Sequence, residues 1–298
     1  MTTGRKDALM KPRKSTNVRF EKSAPAWVRA GFAGASRIAP GLTSVVAAEL
    51  FRTTRRSVAR PGEREVLADA LSWQIAGMKV WSWGEGPIVL LVHGWNGRAT
   101  QLGSFVAPLV ARGHRVVAFD ALGHGESDGN RSSLPELANC IRQVADELGG
   151  VRAIIAHSLG AAATTFALAY GLRAERAVFI SPPADPRDFL KIFGVTLGLT
   201  NEVRARVEQR VERRLGVPME EMLATTLALR MQTPLLLVHD RDDKEVPFRA
   251  GRDIAGQWPG AELIVTQELG HQRILRDPSV RDAAVRFIEG DVRLRSAA

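Results

Sequence analysis

The sequence predicts an α/β fold: a mostly parallel central sheet with helices on both faces and a helical cap inserted between two of its strands. Three observations carry this. From about residue 63 onward, short apolar runs alternate with amphipathic segments, the rhythm of strands joined by crossover helices. Several runs are apolar without alternation. Pro87–Val92 (PIVLLV) is one, and such a run suits a strand buried on both faces. Residues 183–232 then break the rhythm with charged helix formers such as Val203–Arg214 (VRARVEQRVERR). An insertion there reads as a cap, placed where loops over a rigid scaffold set specificity; the alternative is further helices of the sheet layers.

The elements follow in order. Residues 1–23 are polar and basic and read as a disordered leader. Residues 24–60 form a helical N-terminal extension, interrupted at Pro40-Gly41. Arg60-Pro61-Gly62-Glu63 marks a break, and the main body occupies 61–298. Trp73–Ile75 and Met78–Trp83 flank Ala76-Gly77 as a hairpin. After the Pro87–Val92 strand come a helix near Leu102–Arg112 and a strand at Arg115–Phe119. A helix follows over Leu134–Leu148, apolar at Leu134, Leu137, Ile141, Val144 and Leu148. Val151–Ala156 is a strand, Leu159–Ala169 a helix and Ala177–Ile180 a strand. Beyond the cap lie a strand at Leu235–Val238, a helix near Arg249–Gln257, a strand at Leu263–Val265 and a helix near Pro278–Ile288.

Composition narrows the classes. The chain has 298 residues, 45% hydrophobic and 24% charged, ordinary for a soluble domain with a sizeable core. Cys140 is the sole cysteine and sits in an apolar pattern, so it reads as a buried thiol, with neither a disulfide nor a zinc site. No metal or other cofactor is expected. The net charge of +9 is local: residues 1–60 hold 13 Lys/Arg against 3 Asp/Glu, and residues 61–298 hold 28 against 29. A basic run ahead of an apolar segment suits peripheral contact with an anionic membrane surface. It lacks the aromatic interleaving of a nucleic-acid module, so no specific nucleic-acid binding is expected. No run of 18 apolar residues exists, and no clean signal peptide precedes the body. The expected location is cytoplasmic, peripheral at the membrane.

The chemistry centres on Ile154-Ile-Ala-His-Ser158-Leu-Gly-Ala161. An apolar strand runs into a serine and then a small-residue helix. Such a tight turn crowds the positions two before and two after the serine, so small residues belong there. It would present the Ser158 hydroxyl above the sheet edge and aim the Leu159 N–H at a developing oxyanion. A serine N-cap on an ordinary turn is the plain alternative. A serine nucleophile needs a base, and the base an orienting acid. Of six histidines, His271 is the best base, in a turn after the last strand. His114 reads as a surface residue, His157 as pointing away from the serine, His239 as ending a strand, and His93 and His124 as turn-shaping hydrogen bonders. The loop after the preceding strand holds Asp240, Asp242, Asp243 and Glu245, and position alone does not choose among them.

Five segments together carry a resemblance: VHGW at 92–95, FDALGHGES at 119–127, AHSLGA at 156–161, HDRDDKEVP at 239–247 and ELGH at 268–271. From about residue 65 to 290 the chain resembles the α/β-hydrolase fold superfamily, in which the order is Ser, Asp, His. The resemblance implies an α/β-hydrolase domain over 61–298. It selects Asp243, three residues before Val246-Pro247, with Asp240 as second choice. It implies that the Trp95 N–H joins that of Leu159 in an oxyanion hole. Ala156 departs from the more usual glycine, and the first 60 residues fall outside it. The expected activity is a serine hydrolase acting on a small-molecule carboxylic ester through an acyl-enzyme. Thioesterase, acyltransferase or perhydrolase chemistry on the same triad is the alternative, as is a non-enzymatic ligand-binding protein on this fold.

Overall fold

The computed structural model describes residues 24–56, 59 and 62–290; the leader read over 1–23 lies outside them. Two helices come first, α1 (Ala26–Ile38) and α2 (Pro40–Arg52). The strands are β1 (Leu71–Ile75), β2 (Met78–Trp83), β3 (Ile88–Val92), β4 (Arg115–Phe119), β5 (Ala153–His157), β6 (Arg176–Ile180), β7 (Leu235–Asp240) and β8 (Glu262–Thr266). They form one sheet in the order β1-β2-β4-β3-β5-β6-β7-β8. β2 is antiparallel to both its neighbours, and the strands from β4 to β8 run parallel. The β1–β2 turn is the two-residue type that needs two positive φ angles, and Ala76 (47°) and Gly77 (82°) supply them.

The remaining helices are α3 (Val106–Val110), α4 (Leu134–Glu147), α5 (Leu159–Ala169), α6 (Pro186–Leu197), α7 (Asn201–Leu215), α8 (Ala224–Ala228), α9 (Phe248–Gln257), α10 (Gly270–Arg273) and α11 (Pro278–Glu289). They cover both sheet faces. Leu90, Val92, Ile154 and Phe179 face a core with α4, α5 and α9, while Val89, Leu91, Ile155 and Val178 face a second core with α3 and α11. Burial on both faces is why these strands read as unbroken apolar runs. The helix expected over 102–112 is instead a 3-10 segment, Ala99–Phe105, followed by the short α3. Pro108 has no N–H for the carbonyl of Ser104, which stops a continuous α-helix.

Residues between β6 and β7 fold as α6, α7, a 3-10 turn at Met219–Met222 and α8. α7 buries Val203, Val207 and Val211, one stripe at helical spacing. Its start is capped by Thr200 and its end by a left-handed Gly216. α2 packs against α7, and Ala47 and Ala48 share its apolar cluster. At the end of α2, Arg52–Thr54 pair with the segment after β4: Thr54 N–H donates to Asn130 O (3.0 Å), Ser132 N–H to Arg52 O (2.9 Å), and the Thr54 hydroxyl to Gly123 O (2.5 Å). The N-terminal helices are thus part of the same core as the body.

Candidate active site

Sheet register brings the sequence motifs to one edge. β3, β5, β6, β7 and β8 are neighbours and parallel, so the turns after them share the C-terminal edge, where ligands of open α/β sheets bind. Ser158 stands between β5 and α5 at φ 51°, ψ −126°. A non-glycine residue there carries roughly 1–3 kcal/mol of strain, held by packing on both sides. A Cβ on Gly160 would lie 2.3 Å from the His93 carbonyl oxygen and 2.9 Å from that of Val92. The second small position of the elbow therefore has to be glycine. Ala156, buried in the strand, fits as it is. Gly94 lies directly against the serine, since its added Cβ would be 3.0 Å from Ser158 Cβ. Trp95 follows in the same turn. Leu159 opens α5, so its N–H has no acceptor within the helix.

His271 and Asp243 are brought together. His271 Nδ1 donates to Asp243 Oδ2 over 2.7 Å, with both side chains buried. That leaves Nε2 with the ring's lone pair. Asp243 Oδ1 accepts the N–H groups of Glu245 (2.8 Å) and Val246 (2.9 Å). Burial opposes ionisation of Asp243, but the His271 hydrogen bond and charge and the Val246 N–H outweigh it and hold the carboxyl below its usual range. Glu245 stands 3.9 Å from His271 Nε2, beyond hydrogen-bond reach, and is half-exposed. Asp240 serves the loop instead. Its Oδ2 accepts the Thr266 hydroxyl (2.7 Å) and the Leu269 N–H (3.1 Å), and its Oδ1 the Asp242 N–H (2.9 Å). Asp242 Oδ2 accepts the Glu268 N–H (3.0 Å). Of the four loop carboxylates, Asp243 is the one bonded to His271.

Three histidines differ from, or add to, their sequence reading. His157, read as pointing away from the serine, turns toward His271. Its ring lies 4.6 Å from that of His271, and its Nε2–H donates to the His271 carbonyl over 3.0 Å. Burial pushes its pKa well below the ordinary value, so it is neutral. His114 is not a surface residue; it is 2% exposed and pairs with Glu289. His239 is fully buried, donates Nε2–H to Val246 O (3.0 Å) and sits 3.6 Å from Asp243 Oδ2. His93 does shape a turn: Nδ1–H donates to Gly94 O (2.7 Å) while Nε2 accepts the Ala121 N–H (3.0 Å). Asp120, missed in the sequence, ties the surrounding loops by accepting the N–H groups of Ala99 (2.7 Å) and Glu126 (2.8 Å). The segment FDALGHGES that contains it was the available signal.

Comparison with known proteins identifies the family. Residues 89–285 match the model of the alpha/beta hydrolase family. A pyrethroid hydrolase of Sphingobium wenxiniae is 24% identical over 254 residues, covering 70% of this chain and 90% of that one. A 2-hydroxy-6-oxononadienedioate/2-hydroxy-6-oxononatrienedioate hydrolase of Dechloromonas aromatica is 28% identical over 235 residues, covering 61% and 80%. Among solved structures, an esterase of Exiguobacterium antarcticum superposes with a TM-score of 0.56 at 17% identity, over 73% of this chain and 98% of that one. A meta-cleavage product hydrolase of Pseudomonas fluorescens does so with a TM-score of 0.56 at 17% identity, over 74% and 98%. The family model spans about two thirds of the 298 residues, and on that match the chain belongs to the alpha/beta hydrolase family.

Proposed function

We propose that the chain is a serine hydrolase that cleaves a carboxylic ester through an acyl-enzyme. The observation that carries this is the 2.7 Å His271–Asp243 bond at the sheet edge that also bears Ser158 at its elbow. In this reading, the Ser158 hydroxyl attacks the ester carbonyl as His271 Nε2 takes its proton. The N–H groups of Leu159 and Trp95 stabilise the oxyanion, each contributing roughly 2.7–4 kcal/mol. His271 returns the proton to the departing alcohol. Water, deprotonated by His271, then releases the acid. Asp243 keeps the imidazole oriented and steadies the imidazolium. The esterase among similar structures supports the ester as substrate.

The test is turnover of p-nitrophenyl esters of graded acyl length, together with labelling by a fluorophosphonate. Ser158→Ala is expected to lose both turnover and labelling while keeping its melting transition. Undiminished hydrolysis by that variant sinks the assignment. Preferential transfer of the acyl group to an added alcohol or amine would make the chain an acyltransferase. Faster turnover of acyl thioesters would move the substrate class.

A further inference from the structure

A second feature lies away from Ser158. A groove of about 290 Å³ runs between α2 and α7, lined by Val45, Ala48, Glu49 and Arg52 on one side and by Arg210, Val211, Arg213 and Arg214 on the other. Its charge is unbalanced. Glu49 is paired with Arg131 at 2.7 Å. Arg210 donates Nε–H to the Ser44 hydroxyl, and neither Arg213 nor Arg214 forms an ion pair among the described residues. Arg52 is 6% exposed. Its Nη2 reaches Glu136 at 2.6 Å, yet its Nε and Nη1 are buried with no hydrogen-bond partner among the described residues. Arg52 is thus held inside the wall, and the accessible cations of the groove are Arg210, Arg213 and Arg214, a set of guanidinium groups that suits the oxygens of a phosphate.

Helix α2, with α1 before it, also exposes apolar side chains. Of eleven large apolar side chains exposed among the described residues, six are on α1 and α2: Trp27, Ile38, Leu42, Val45, Val46 and Leu50. Trp27 and Ile38, eleven residues apart, lie on one side of α1; Val45 belongs both to this exposed set and to the groove. No described helix is long and apolar enough to cross a membrane. Residues 1–23, leading into α1, hold seven Lys/Arg and two Asp/Glu. An apolar face bordered by cations matches the boundary between anionic headgroups and acyl chains.

We propose that α1 and α2 dock on an anionic phospholipid surface, with a headgroup phosphate seated in the arginine groove between α2 and α7. The full-length protein is to be sedimented with vesicles of phosphatidylcholine alone and of phosphatidylcholine mixed with phosphatidylglycerol. Binding is expected to the mixed vesicles. Arg213→Glu/Arg214→Glu weakens it about tenfold or more, and Val45→Asp/Val46→Asp weakens it with the arginines intact. Melting curves verify that each variant folds; if the valine pair unfolds, the arginine pair decides alone. Equal partition onto neutral and anionic vesicles overturns the proposal, as does wild-type binding by the arginine variant. So does protection by inorganic phosphate without vesicle binding, or a solution dimer dispersed by the valine variant, which would make the face a contact between copies.

Discussion

The ring of His157 lies 4.6 Å from that of His271, and its Nε2–H donates to the His271 carbonyl over 3.0 Å. The residue preceding the proposed nucleophile therefore braces the proposed base. His157→Phe keeps a planar ring but removes the bond. Misorientation of a catalytic group by a fraction of an ångström is costly, so kcat on a p-nitrophenyl ester should fall roughly 10- to 100-fold. His157 is neutral, so the variant should keep the acid limb of the pH–rate profile while its plateau drops. Disappearance of that limb would mean that His157 itself titrates in catalysis.

Asp243 and Asp240 separate by partner. Asp243→Asn leaves the loop bonds of Oδ1 available but disturbs the acceptor for His271 Nδ1–H. By comparison with the same change in another Ser-His-Asp enzyme, kcat should fall about 10³- to 10⁴-fold in a chain that still folds. Asp240→Asn breaks the anchoring of Thr266 and Leu269. It should cost about 1–3 kcal/mol in denaturant unfolding and lower kcat far less. The reverse pattern in kcat would transfer the acid's role to Asp240.

The strands were legible because burial on both faces writes unbroken apolar runs, as in Ile88–Val92. The strand-to-helix turn at Ser158 was legible because it leaves room only for small residues two positions to either side, Ala156 and Gly160. What escaped depends on partners distant in the chain. His157 meets His271 across 114 residues, and His114 meets Glu289 across 175; no local pattern announces either. Asp243 shares its loop with Asp240, Asp242 and Glu245, and what distinguishes it is a side-chain bond to His271, which spacing does not encode. The packing of α2 on α7 was likewise hidden, because Ala47 and Ala48 look the same in a helix that is free and in one that is docked.

The two small positions of the elbow are not equivalent. Gly160→Ala drives a methyl to 2.3 Å from the His93 carbonyl, and strand β3 is fixed by β4 and β5 on both sides. Overpacking of this kind costs typically 1–3 kcal/mol. Because the displaced peptide lies beside Trp95, kcat should drop along with the melting temperature. Ala156→Gly restores the more usual residue but adds backbone freedom within β5, so it should lower stability by roughly 0.5–1 kcal/mol and leave kcat near wild type. An unaffected Gly160→Ala enzyme would show that β3 yields.

Stability should depend on pH through the buried histidines. Burial lowers the pKa of His93 to about 4 and that of His124 to about 3, and their rings are 5.0 Å apart. In the unfolded chain both return to near 6.5. Between those limits the unfolded state binds protons that the folded state does not, so stability is full above about pH 6.5 and declines as the pH falls toward 4. For His93 alone the loss is about 3 kcal/mol. Asp240 and Asp243, with lowered pKa values, act in a separate window, withdrawing stability only as the pH falls below their unfolded value of about 3.9. Urea midpoints at pH 7.5 and pH 5 check this. The wild-type midpoint should drop markedly. His93→Gln should start lower, having lost part of the Gly94 and Ala121 bonding, yet change less between the two pH values, because the glutamine amide does not titrate. An equal drop in both proteins would assign the acid sensitivity to groups other than His93.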